Sequence, residues 1–95
     1  MNSLDKWRRQ NRELLRIFKK TRDLPDFLED IFTPGELADI IDRWEIIKCL
    51  EQKMSQRAIA KKLHVSLAKV THGARILSES KQGFKQVLIN KLYVK

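Results

Sequence analysis

Apolar residues recur along this chain at three- and four-residue spacing, which is typical of amphipathic α-helices rather than of strands. This spacing predicts a first helix over residues 3–20, with Trp7 and Leu14 on its apolar face. A third helix carries the longest apolar stripe, which runs from Leu37 to Leu50. We expect that stripe to serve both an internal core and a dimer seam, because a chain of 95 residues buries only a modest core by itself.

Proline and capping residues predict where the second and third helices begin. Pro25 fits the first turn of a short second helix, where its missing N–H is not needed. Thr33 and Glu36 have the spacing of a capping box, and Pro34 between them presets the first turn of the third helix. These signals predict that the third helix is a separate element from the second helix.

Two serines predict the starts of the next two helices. Ser55 is the expected N-cap of a helix over residues 56–63, and Ser66 that of a helix over residues 67–77. Residues 78–83 are expected to form a connector. A last helix is predicted from an apolar face made of Phe84, Val87, Leu88 and Leu92. The pattern therefore predicts an all-α fold of six helices with no sheet.

Residues 55–77 have the pattern of a helix-turn-helix, because their apolar positions fall where two short helices must pack. Ile59 and Leu63 lie one turn apart and face the core, and Val70 faces back from the second helix. His64 stands at the turn position that glycine usually holds. Histidine tolerates a positive φ better than most residues, so the turn remains compatible with the motif.

The distribution of charge adds a partner to this picture. The net charge is +8 and the isoelectric point is near 9.9, which favours a polyanionic partner. Residues 55–75 contain five basic residues and no acid, whereas residues 23–45 contain eight of the twelve acids. The acids of residues 23–42 are interpreted as solvated helix faces. The helix-turn-helix segment is thus the part suited to meet phosphates.

In a helix-turn-helix, the second helix enters the major groove by its N-terminal end. Arg57 is placed to donate a pair of hydrogen bonds to a guanine edge, whereas Lys61, Lys62 and Arg75 suit phosphates. The alternative is an amphipathic helical hairpin with a solvated basic face. The residues predicted to bind DNA are Gln56, Arg57, Lys61, Leu67, Ala68, Lys69, Thr71 and Arg75.

The sequence gives little support for an enzyme, a zinc protein, a membrane protein or an RNA-binding protein. There is no glycine-rich phosphate loop and no recognisable arrangement of nucleophile and base, so we do not expect an enzyme. Cys49 is the only cysteine, which excludes an internal disulfide and a cysteine-rich zinc site and predicts a buried thiol. No run approaches the roughly 20 apolar residues of a membrane span, so we expect a cytoplasmic protein. RNA is a weaker alternative, because Trp7 and Trp44 lie on apolar faces instead of forming a stacking platform.

The segment from Met54 to Arg57, followed at its spacing by the residues from Val65 to Gly73, resembles the tryptophan repressor family. Phe32-Thr33-Pro34, followed by Arg43, resembles the same family upstream. The resemblance is closest over residues 24–77 and extends loosely over the whole chain, which we treat as a single domain of residues 1–95. It implies an intertwined homodimer of six-helix chains that binds a near-palindromic operator on double-stranded DNA.

The same resemblance implies L-tryptophan, or a related indole, as a co-repressor that lies between the core and the helix-turn-helix. Thr33 and Arg43 would line its pocket, with the carbonyls of Asp30 and Phe32 nearby. His72 and Gly73 would close the pocket from the recognition helix. The function implied is that of a sequence-specific transcriptional repressor.

This chain departs from the family at two ligand positions. His72 stands where the family has an arginine that stacks on the indole and pairs with the ligand carboxylate, and Ile76 replaces a serine near the ligand amino group. Arg75 neighbours His72 but is expected to point elsewhere on the helix. His72 has two interpretations, one as a residue that tunes the ligand response and one as a phosphate contact. The residues are therefore compatible with three cases: tryptophan as the co-repressor, an indole without a carboxylate, or no ligand. The alternatives in function are a ligand-independent DNA-binding regulator of the same fold and a helical protein-interaction module.

Overall fold

The structure, a computed structural model, describes residues 2–80 and 82–94, and the regular elements in them are all α-helices joined by short turns and loops. The helices are α1 Ser3–Gln10, α2 Arg12–Lys20, α3 Leu24–Ile31, α4 Pro34–Glu51, α5 Gln56–Leu63, α6 Leu67–Glu79 and α7 Gly83–Ile89. No strand occurs in these described residues, so the predicted all-α class is confirmed. The chain forms two compact units, one ending at Leu37 and the other beginning at Ala38.

The predicted first helix is divided at Asn11. α1 begins after Asn2, whose side chain accepts a hydrogen bond from the N–H of Asp5 at 2.9 Å. Asn11 follows α1 with φ −81° and ψ −10°, and α2 begins at Arg12. Asparagine competes for backbone hydrogen bonds and so favours helix ends over helix interiors. Because the apolar spacing continues across Asn11, the sequence predicts six helices where the described residues form seven.

Local hydrogen bonds and one aromatic pair organise the first unit. The rings of Phe18 in α2 and Phe27 in α3 meet edge to face, with centroids 5.8 Å apart. The capping box is confirmed, because the N–H of Thr33 donates to Glu36 Oε1 at 2.9 Å. The N–H of Glu36 in turn donates to Thr33 Oγ1 at 3.1 Å. A cap of this kind stabilises a helix by about 1 kcal/mol.

The core of the second unit lies where α4, α5 and α6 meet. Ile46 and Cys49 of α4, Ile59 of α5 and Val70 of α6 are all buried and form one cluster. Cys49 is a free, buried thiol, as predicted. Half-buried side chains pack around this cluster, namely Leu50, Met54, Ala60, Leu63 and Val65. The helix-turn-helix is therefore held against α4 by apolar contacts.

The connector between the last two helices is shorter than predicted. α6 continues to Glu79, beyond the end expected near residue 77. Gly83, the last residue of the predicted connector, already belongs to α7. Lys81, also in that connector, lies outside the described residues.

The last helix ends earlier than its apolar pattern suggests. α7 stops at Ile89, and Lys91 then takes a left-handed backbone conformation with φ 50°. A residue in that conformation ends a helix, so Leu92 lies beyond α7. Within the described part of the chain, no helix combines the length and the apolar character needed to cross a membrane.

Candidate nucleic-acid interface

Both helices of the helix-turn-helix begin at the serines that the sequence predicts. Ser55 Oγ accepts a hydrogen bond from the N–H of Ala58 at 3.1 Å, at the start of α5. Ser66 Oγ accepts one from the N–H of Lys69 at 3.1 Å, at the start of α6. Each serine satisfies a donor that the first turn of its helix leaves unpaired. The N-terminal end of α6 is thus fixed by its own cap.

His64 forms the turn between the two helices. Its φ of 56° and ψ of 42° lie in the left-handed region, as expected for the residue in the usual glycine position. Its backbone N–H donates to the carbonyl oxygen of Ala60, and the N–H of Val65 donates to the same oxygen at 3.1 Å. Two hydrogen bonds to one carbonyl close the end of α5 and send the chain towards α6.

Gly73 allows α6 to approach α4 closely. A Cβ at this position would lie 2.7 Å from Cγ2 of Ile46, a side chain that is only 1% exposed. Helix-turn-helix motifs usually carry a larger apolar residue at this position. Here the bulk comes from Ile46 on the opposing helix, and the absent side chain of Gly73 makes room for it.

The outward face of α6 gathers four of the eight residues predicted to bind DNA. Thr71 Oγ1 donates a hydrogen bond to Gln56 Oε1 at 2.7 Å, which ties this face to the start of α5. A shallow surface cleft of about 490 Å³ is lined by Leu67, Ala68, Thr71, His72 and Arg75. All five of these residues are exposed, so the face is open to a partner.

The basic residues of α5 are also exposed. Arg57, Lys61 and Lys62 are all open to solvent, whereas Gln56 is half-buried beside Thr71. The residues 55–75 that include them carry no acid. A phosphate backbone would therefore meet only positive side chains from this segment of the chain.

Lys69 does not join the outward face. Its ammonium group donates to Asp42 Oδ2 at 2.8 Å and to Asp39 Oδ1 at 3.2 Å, both on α4. These hydrogen bonds, to Asp42 first and Asp39 second, raise the pKa of Lys69 above its usual value. Asp39 and Asp42 lie on a solvent-accessible face of α4, as expected, with side chains 64% and 36% exposed, and both pair with Lys69. Their i, i+3 spacing on one helix was the available signal, but the sequence did not identify their partner.

Arg75 lies beside His72 on the outward face. The Nη2 of Arg75 lies 3.0 Å from Nδ1 of His72, so the expectation that Arg75 points elsewhere on the helix is wrong. Residues three apart share a helical face, which explains this contact. A guanidinium group only donates hydrogen bonds, so Nδ1 of His72 is the acceptor in this contact.

A second and smaller cleft lies between α4 and α6. Its volume is about 130 Å³, and its lining includes Arg43 and Gly73, two of the residues that resemblance assigns to a ligand. Ile46, Asp39 and Lys69 complete the lining. His72 lines the outward cleft instead, so it is not brought together with Arg43 and Gly73 here. Ligand pockets commonly measure about 300–1,000 Å³, so this cleft is small for an indole.

The other residues assigned to a ligand belong to the first unit. Asp30 lies in α3, Phe32 is its C-cap, and Thr33 precedes α4 in the capping box. Asp30 and Thr33 are exposed and Phe32 is half-buried. The role of these three residues in ligand binding stays a prediction.

Comparisons with known proteins agree with this architecture. The family model described as Trp repressor protein matches residues 7–92. A protein of Chlamydia trachomatis named Trp operon repressor homolog is 40% identical over 67 residues, covering 65% of this chain and 71% of the relative. One of the same name from Xylella fastidiosa is 41% identical over 71 residues, covering 70% and 77%. Another from Chlamydia caviae is 33% identical over 79 residues, covering 82% and 78%. No solved structure gives a significant match to this chain.

The matched family and the names of the relatives support a repressor-type transcriptional regulator, and the all-helical fold with a helix-turn-helix agrees with that class. The chain belongs to the Trp repressor family, as the match over residues 7–92 establishes. Members of this family are regulators rather than enzymes.

Proposed function

We propose that this regulator represses transcription by binding a specific, near-palindromic operator on double-stranded DNA. The observation that carries the proposal is the outward face of α6, where Leu67, Ala68, Thr71 and Arg75 are exposed together at a capped helix. A recognition helix needs this arrangement, because base edges are read by side chains near its N-terminal end. The relatives are bacterial proteins, so an operator would be met in the cytoplasm.

Charge supports DNA as the partner. Arg57, Lys61 and Lys62 are exposed on α5, next in sequence to the recognition helix. Contacts of this type to phosphates position a protein on the duplex without reading its sequence. The net charge of +8 would speed the encounter with a polyanion.

A homodimer is part of the proposal, because the second unit leaves large apolar side chains open to solvent. Ile41 is 60% exposed, Ile89 73% and Leu92 70%. Large apolar side chains left open in this way are candidates for burial against a second copy of the chain. Two copies would bury such side chains and present two recognition helices to two half-sites, which is why a palindrome is expected.

The test is selection of binding sites from random duplex DNA by the purified protein, with and without L-tryptophan. We expect enrichment of a palindrome whose half-sites are about one helical turn apart. Binding to the enriched site should weaken steeply with salt, by about 0.9 in log–log slope for each phosphate contacted. Failure to enrich any sequence under either condition would contradict the proposal. It would favour the helical protein-interaction module, which has no preference among duplexes.

A second candidate, a repressor that needs no small ligand, is favoured by the cleft between α4 and α6. That cleft has only about 130 Å³, and Lys69 is ion-paired to Asp42 and Asp39 along its wall. His72 lines the outward cleft and is not part of this one. We therefore expect the same palindrome with and without tryptophan. Enrichment only with tryptophan would instead identify tryptophan as the co-repressor.

A further inference from the structure

Two contacts join one face of α6 to one face of α4. Lys69 and Gly73 are four residues apart on α6 and share a face, as do Asp39, Asp42 and Ile46 on α4. Gly73 packs against Ile46, and Lys69 pairs with the two aspartates one turn nearer to the N-terminus of α6. The apolar contact fixes the distance between the helices. The ionic contact acts at the end of α6 that would enter the groove.

The charges at this contact argue against Lys69 as a phosphate ligand. The ammonium group of Lys69 already faces two carboxylates, which would have to release it before it could bind a phosphate. If Lys69 turned to DNA, Asp39 and Asp42 would be left as like charges three residues apart on α4, which is unfavourable. Lys69 and Asp42 are only 37% and 36% exposed, so their pairing is partly shielded from water.

We propose that Lys69, Asp39 and Asp42 form an ion-pair latch that positions the DNA-reading helix α6 on α4. Lys69 is then a positioning residue and not a DNA contact. This inference rests on the proposed function, because the latch matters through the orientation it gives to Thr71 and its neighbours. The latch is part of the protein itself, so α6 is held in place without a small molecule.

The test compares two variants that remove one negative charge each from α4. D42N removes the shorter of the two ion pairs in the latch, and E51Q is the matched control at the exposed C-terminal end of the same helix. Simple electrostatics predicts that both variants bind DNA slightly more tightly, because both make the protein more positive. The latch predicts that D42N binds its selected duplex about two- to fivefold more weakly than E51Q does, the size expected for an exposed ion pair. Binding of a scrambled duplex should not weaken.

A third variant, K69M, separates positioning from phosphate contact. The latch predicts that K69M weakens selected binding at least as much as D42N, because K69M also removes the pairing with Asp39, and that D42N adds no further loss in the K69M background. It also predicts an unchanged slope of log affinity against log salt. A phosphate contact would reduce that slope by about 0.9. The latch is overturned if K69M lowers the slope, if D42N binds as tightly as E51Q, or if the two losses add.

Hydrogen exchange distinguishes failure of the latch from failure of the proposed function. The N–H of Val70 donates to the carbonyl of Ser66 at 3.3 Å in the first turn of α6. This amide should exchange faster in D42N than in E51Q, because an untethered helix end opens more often. If wild type selects no DNA, the proposed function fails, and this exchange rate alone decides whether α6 is latched. Equal exchange in D42N and E51Q would overturn the latch.

Discussion

Replacing Gly73 by alanine tests the close approach of α6 to α4. In a helix with open space, alanine is more favourable than glycine by up to about 1 kcal/mol. At Gly73 the new Cβ would lie 2.7 Å from Cγ2 of Ile46, roughly 1 Å closer than ordinary contact between carbon atoms. Ile46 is 1% exposed, so it has little room to move, and overpacking of this kind costs about 1–3 kcal/mol. We expect G73A to lower the free energy of unfolding by about 1 kcal/mol after the gain in helix propensity is subtracted.

The assay is urea unfolding at one fixed protein concentration, since association would otherwise shift the midpoint. Gly83 provides the control, because a Cβ there meets nothing within 4 Å, and G83A should be neutral or stabilising. I46L provides the rescue, because leucine has no branch at Cβ and so removes the atom that obstructs position 73. The double variant G73A/I46L should be more stable than the sum of the two single changes predicts. If G73A stabilises as G83A does, or if I46L gives no rescue, the argument from close packing is refuted.

Four further predictions concern single residues of the interface and its turn. Arg57→Ala should cost about 1–3 kcal/mol of affinity on the selected duplex and relax discrimination there, measured by fluorescence anisotropy; an equal loss on random DNA would make it a phosphate contact. His72→Arg should steepen the fall of log affinity for DNA with log salt by about 0.9, because His72 lies in the outward cleft. For the same reason, calorimetry should show no change in the affinity for tryptophan. A gain in tryptophan affinity would favour the ligand interpretation of His72 instead. His64→Gly should leave the melting temperature unchanged or raise it, whereas His64→Val should lower it, because φ is 56°; equal melting temperatures would refute this account of the turn. The raised pKa of Lys69 means that its charged form stabilises the fold. That stabilisation is complete below the usual lysine pKa and is lost as the pH rises through the pKa of Lys69 in the folded protein. In urea titrations at alkaline pH, wild type should therefore lose its stability advantage over K69M.

The sequence predicts well those features that depend on residues three or four positions apart. The caps at Ser55 and Ser66 and the box of Thr33 with Glu36 are such features, because their hydrogen bonds form within one helical turn. The turn at His64 is predictable for the same reason. In each case the interaction that specifies the structure lies within a short stretch of chain.

Features that depend on residues far apart in the chain could not be predicted from the sequence. The latch joins Lys69 to residues 27 and 30 positions away, and no helical periodicity links such positions. The sequence therefore predicts Lys69 as a DNA contact together with the other basic residues of its segment. The need for glycine at position 73 is also not predictable from the sequence, because it arises from contact with a single methyl group of Ile46 on another helix. The division at Asn11 is a local feature, but the continuous apolar stripe concealed it.

The position of Cys49 has a practical consequence for the study of this molecule. It is the only thiol in the chain, and it is 4% exposed at the centre of the cluster that joins α4, α5 and α6. A thiol reagent can reach it only when that cluster opens, because a buried sulfur is shielded from attack. The rate at which Cys49 is labelled under native conditions therefore measures how often the helix-turn-helix opens, and no probe has to be introduced into the chain.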